Sequence, residues 1–137
     1  MDNAIKNLFE EYEKAFNALD IAKSAQFFSD TFISAGPKGA IAQNKSEFLK
    51  MADKAAGFYK SVGQTGAKIL SMKETPISDE YSMVTVHWGV TFQKLGDKPV
   101  EFDVSYFLQN TSPKPQIIMF IAHQDEQEAM KELGLLK

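Results

Sequence analysis

The hydrophobic period of this chain changes once, near Gly66, from three-to-four residues to two, and that switch restricts the fold more than any other feature. Before it, Ile5, Leu8, Tyr12, Ala15, Phe16 and Leu19 recur at helical steps, with Lys6, Glu10, Glu13 and Lys14 on the other side. Asp20 reads as the cap of a second, short helix carrying Ile21, Ala25 and Phe28. Thr31 to Ser34 reads as a short strand, stopped by the loop Gly36-Pro37-Lys38-Gly39. A third helix is predicted from Asn44, where Asn44-x-x-Glu47 has the form of a capping box, to a stop at Gly63. After Gly66, residues alternate from Ala67 to Pro76, Tyr81 to Lys94, Val100 to Gln109 and Gln116 to Gln124. Turns are predicted at Ser78-Asp79, Leu95-Gly96-Asp97 and Thr111-Ser112-Pro113. A last helix follows Asp125-x-x-Glu128 and ends at Gly134. Helices first and strands after exclude a doubly wound parallel fold. The economical solution is α+β: three N-terminal helices packed on one face of a curved antiparallel sheet, with a short C-terminal helix.

No linker, repeat or low-complexity run divides the 137 residues, so residues 1–137 are expected to form a single domain. The absence of cysteine excludes a disulfide framework, a thiolate metal site and a cysteine nucleophile, and fits a reducing cytoplasm. Met1-Asp2-Asn3-Ala4-Ile5-Lys6 lacks the character of a secretory leader, and no apolar run approaches the roughly 18 residues of a membrane span. A net charge of −3 without a basic block argues against nucleic acid. All 15 cationic residues are lysine, which closes any mechanism built on a bidentate guanidinium clamp. There is no phosphate-binding glycine loop and no nucleophile elbow, and no cofactor is expected.

Both faces of the strands carry apolar groups. On one strand Val100, Phe102, Val104, Tyr106 and Leu108 alternate with Glu101, Asp103, Ser105, Phe107 and Gln109. A sheet covered by helices on one side and apolar on the other is expected to pair with a second copy through its convex face, burying the neighbourhood of Val104, Tyr106, Met119 and Ile121. Around His87 and His123 no carboxylates stand at ligand spacing, so no metal site is expected. Tyr12 is either a core tyrosine or a donor pointing into a pocket. Asp103 is either paired with a lysine at a half-open surface or held neutral under the helices, where it can donate a hydrogen bond. Phe28, Phe58, Trp88 and Phe120 line a pocket or fill a core.

The element order, Phe27-Phe28 before the first strand, the Gly36-Pro37 loop after it, and Tyr12 to Asp20 followed by Phe28 and Asp30 resemble the NTF2-like superfold. Within it the resemblance is to the branch of ketosteroid isomerase and the SnoaL-like polyketide cyclases. It implies that Tyr12 is an oxyanion-hole tyrosine, that Asp103 is a protonated partner to it, and that Tyr59 is a supporting tyrosine. It also places His87 and His123 on the outer, convex face, as hydrogen-bonded interface residues. The isomerase's general base falls on Gly36, which has no side chain, so no catalytic residue is assigned; His87, Glu101 and Asp103 are the available substitutes. The expected site is thus an apolar pocket between helices and sheet formed by Tyr12, Phe28, Tyr59, Trp88, Asp103 and Phe120. Its leading use is binding a small hydrophobic molecule. The alternatives are an isomerase-, cyclase- or dehydratase-like enzyme acting on a hydrophobic carbonyl compound, and a structural dimerisation module whose pocket is filled by its own side chains.

Overall fold

The computed structural model describes residues 2–110 and 114–135; the turn expected at Thr111-Ser112-Pro113 lies outside them. Within this span the order is α1 (Asn3–Asn17), α2 (Ile21–Ala25), β1 (Phe28–Gly36), β2 (Gly39–Asn44), α3 (Lys45–Lys50), α4 (Ala52–Ser61), β3 (Gln64–Pro76), β4 (Tyr81–Phe92), β5 (Val100–Gln109), β6 (Gln116–Ala122) and α5 (Glu126–Glu132). The helices begin where short polar side chains can satisfy free N–H groups. Asp20 accepts from Lys23 N, Asn44 from Ser46 N and Asp125 from Glu128 N. The chain leaves α4 and α5 through Gly63 (φ +80°) and Gly134 (φ +75°), both in the left-handed region.

Three expectations are corrected. Gly36-Pro37-Lys38-Gly39 is the tip of a hairpin, because Gly39 to Asn44 pairs with β1 as a strand of its own. The predicted third helix is two helices, broken at Met51, which serves as C-cap of α3 and N-cap of α4. The sheet is mixed rather than antiparallel, in the order β2-β1-β6-β5-β4-β3, because β1 and β6 run parallel side by side.

The strand period of two sorts the side chains between the faces. On β4, Val84, Val86, Trp88, Val90 and Phe92 are buried beneath the helices, with Thr85, His87 and Thr91 on the outer face. On β5 the cross-strand partners of Val84, Val86, Trp88 and Val90 are Tyr106, Val104, Phe102 and Val100. Ile5, Leu8 and Phe9 of α1 and Met130 of α5 close over this concave surface. At the other end of α1, Asn17 accepts a hydrogen bond from Ala67 N at 2.9 Å and Glu13 accepts one from Ile69 N. These contacts dock the helix on β3, an edge strand.

Candidate functional site

The helices do not fill the concavity of the sheet. A chamber of about 280 Å³ remains, lined by Tyr12 and Phe16 of α1, Tyr59 of α4, Trp88 of β4, Tyr106 of β5 and Glu126 of α5, among others. Nine of its lining residues are aromatic, and most adjoining rings meet edge-on or tilted: Phe16 and Trp88 at 5.4 Å between centroids, Tyr12 and Tyr106 at 5.7 Å, Phe16 and Tyr59 at 5.9 Å. Of the site residues expected from sequence, Tyr12, Phe28, Tyr59, Trp88 and Phe120 line this chamber.

Asp103 does not. Phe102, Val104 and Tyr106 occupy the concave side of β5, so the alternation sends Glu101, Asp103 and Ser105 to the outer face. The same geometry removes Val104 and Tyr106 from the outer surface expected for a partner, since both look into the chamber. On the outer face Asp103 Oδ1 lies 2.6 Å from His87 Nδ1, and Glu101 Oε1 2.6 Å from His87 Nε2. The two carboxylates hold the imidazole's pKa above its ordinary value, Asp103 first, while His87 holds the Asp103 carboxyl below its own. Of the two readings of Asp103, paired at a half-open surface or held neutral under the helices, the geometry fits the first, with a histidine in place of a lysine as partner. His123 lies on the same face, its Nε2 2.8 Å from Ser105 Oγ.

A tyrosine pair supplies the polar end of the chamber instead. Trp88 Nε1 donates to the Tyr106 hydroxyl at 3.0 Å, and the Tyr106 ring packs edge-on against Tyr12. The Tyr12 hydroxyl lines the chamber and its proton finds no acceptor among the described residues, which leaves it free for an occupant. Burial pushes the Tyr12 hydroxyl up to about 12, so it stays a neutral donor at physiological pH. Tyr59 and Tyr106 are raised too, also by burial first.

The group that sequence reasoning missed is Glu126, in the first turn of α5. Its carboxyl reaches the chamber wall, where burial first, and the charge of Asp125 second, push its pKa up to about 7. No hydrogen-bond or ion-pair partner offsets that burial among the described residues. A signal was available: Glu126, Met130 and Leu133 share one helical face, and Met130 is fully buried. Glu126, Phe120 and Ala122 also line an outer cleft formed with the β1–β2 turn, so the carboxyl stands between chamber and surface. Lys38 Nζ pairs with Asp125 Oδ2 at 3.1 Å across that cleft and ties the turn to the start of α5. Gly36 lies on the cleft, outside the inner chamber.

Residues 2–125 match the family model described as NTF2-like protein (DUF6841). Similar solved structures include an NTF2-like protein of unknown function from Shewanella oneidensis, 17% identical, with a TM-score of 0.70 over 89% of this chain and 98% of that one. A domain of unknown function with a cystatin-like fold from Nostoc punctiforme is 14% identical, with a TM-score of 0.68 over 98% of this chain and 85% of that one. A ketosteroid isomerase-like protein from Erwinia carotovora atroseptica is 16% identical, with a TM-score of 0.62 over 88% of this chain and 92% of that one. At such identities these likenesses concern the fold. No curated protein matches the chain. With helices packed over a curved six-stranded sheet in a cystatin-like arrangement, and a family model spanning nearly all its length, the chain belongs to the NTF2-like family (DUF6841).

Proposed function

We propose that the protein binds a small, largely apolar molecule in the chamber between helices and sheet. The observation that carries this reading is the chamber itself, about 280 Å³ walled mainly by aromatic rings and left unfilled by the protein's own side chains. Drug-sized sites run from roughly 300 to 1,000 Å³, so the occupant is small. Tyr12, backed by Tyr106 and Trp88, offers it a hydrogen-bond donor. Trp88 is the sole tryptophan of the chain and lines the chamber, so its emission reports occupancy directly. Titration with 2-naphthol is expected to change Trp88 emission saturably. Ala55→Phe, which fills the chamber from α4, is expected to weaken binding by about tenfold or more, in line with the loss of a few buried contacts. Absence of saturable binding, or unchanged binding in the filled variant, counts against the reading.

One observation favours a second reading, an enzyme acting on a hydrophobic carbonyl compound. Glu126 supplies a carboxyl near neutrality on the wall of a chamber that also offers the Tyr12 donor. A general acid–base group there answers the lack of a side chain at Gly36. Turnover of a carbonyl substrate that disappears in Glu126→Gln while 2-naphthol binding persists would select this reading over simple binding.

A further inference from the structure

The charge balance of the chamber singles out a class of ligand. Glu126 is the one formally ionisable carboxyl on its wall, and among the described lining residues there is no lysine or histidine to balance it. Trp88, Tyr12, Tyr59 and Phe16 line the same chamber, with adjoining rings 5.4 to 6.0 Å apart, and aromatic faces attract positive charge. Glu126, Tyr12, Tyr59 and Tyr106 all line this one chamber. An aromatic box attracts cations through its ring quadrupoles, and the attraction grows when water is excluded. A buried carboxylate without a partner is unfavourable, and a bound cation is the partner that relieves it.

We infer that the chamber takes a hydrophobic organic cation, a substituted ammonium seated among Trp88, Tyr12, Tyr59 and Phe16 with Glu126 as its counter-ion. The inference rests on the reading of the chamber as a small-molecule site and assigns the chemistry of its occupant. It also makes affinity depend on pH in one direction. With its carboxyl near 7, Glu126 is protonated and neutral below that value and ionised above it. A permanent cation therefore binds more tightly as pH rises through 7. The neighbouring groups do not titrate in that window. Asp125 is held below the usual carboxylate range by its contacts with the α5 backbone and with Lys38, Lys38 is raised by Asp125, and the three tyrosines are raised by burial. His87 lies on the opposite face of the sheet, paired with residues that do not line the chamber.

The test compares benzyltrimethylammonium with neopentylbenzene, which has the same shape with carbon in place of nitrogen, by calorimetry and Trp88 emission at pH 5.5 and pH 8.5. At pH 8.5 the ammonium is expected to bind about tenfold more tightly than the hydrocarbon, the scale of a desolvated cation–π contact with a counter-ion. Lowering the pH to 5.5 is expected to remove most of that preference while hydrocarbon binding stays level. Glu126→Gln is expected to abolish both the preference and its pH dependence and to leave the hydrocarbon bound; the wild-type pH series stands even if that variant folds poorly. Equal binding of the two ligands at pH 8.5, or a preference that survives in Glu126→Gln, overturns the inference and leaves the small-molecule reading intact. If neither ligand binds, both fall.

Discussion

Glu126 is a carboxyl held in an apolar wall, and its ionisation works against the fold. Its pKa rises on folding from 4.5 to about 7, so the folded chain binds a proton more tightly than the unfolded one. The sign follows from linkage: between those values the native state holds more protons, and stability falls as pH rises. At 1.36 kcal/mol per unit the full loss is on the order of 3 kcal/mol by pH 8. Glu126→Gln is therefore expected to raise the melting temperature by several degrees at pH 8 and to change it little at pH 4.5. A variant no more stable than wild type at pH 8 would mean that a water or ion already satisfies the carboxylate. The same residue marks a limit of sequence reading. The Asp125-x-x-Glu128 pattern was legible as a cap, yet Glu126 between its members reads as solvated until its face is shared with Met130. Asp103 could not be decided from its neighbours in sequence alone. Its flanking Phe102 and Val104 made burial plausible, but flanking residues on a strand point to the opposite face. Tyr12 and Trp88, read as core or pocket, line the chamber, because large aromatics on the apolar side of a helix and a strand turn towards the space between them.

At the scale of elements, what could be read was whatever a period or a cap encodes. The starts of α2, α3 and α5 at Asp20, Asn44 and Asp125 were visible because each needs a side-chain acceptor for an exposed N–H. β2 was not visible. It is half of a short edge hairpin, nearly all exposed, and Gly39 to Asn44 carries no alternating apolar pattern. α1 stops at Asn17 rather than running through Leu19, which turns to φ +56° although it is not glycine. The reason lies in tertiary contact. Asn17 is used at the helix end to accept from Ala67 N of β3, and Gly66 beside it leaves room, since a Cβ there would sit 2.9 Å from Asn17 Oδ1. Such a bond lies 50 residues apart in sequence and no local pattern announces it. Asn17→Ala leaves the part-buried Ala67 N–H without its acceptor and is expected to destabilise the protein by about 1–2 kcal/mol in chemical denaturation. A loss below a few tenths of a kcal/mol would show water replacing the side chain without penalty.

For the whole molecule, helices over a curved sheet followed from the single change of period, whereas the mixed sheet did not. The parallel pairing of β1 with β6 joins strands from opposite ends of the chain, and alternation within either strand is silent about it. That pairing broadens the outer face and brings Ile33 of β1 beside Met119 of β6, next to Ile121 and Phe107. Ile33 is 40% exposed and Ile121 36%, while Leu70 on the far edge of the sheet is 49% exposed. The polar part of the face is already internally bonded, His87 by Asp103 and Glu101 and His123 by Ser105, so covering it strands few hydrogen-bonding groups. An apolar strip beside a satisfied polar cluster has the composition of an interface core and rim. We propose that two copies meet through this outer face, each presenting the same patch as a two-fold axis requires. Light scattering at high micromolar concentration is then expected to give twice the 15.3 kDa mass of the chain. Ile121→Glu places two like charges near the axis and is expected to yield the single-chain mass with the fold retained, since the side chain is exposed in the isolated subunit. The chamber lies on the other face of the sheet, so the separated variant should still bind an apolar probe. A wild-type protein that scatters as one chain, or an Ile121→Glu variant that remains twice that mass, would remove the outer face as the site of pairing.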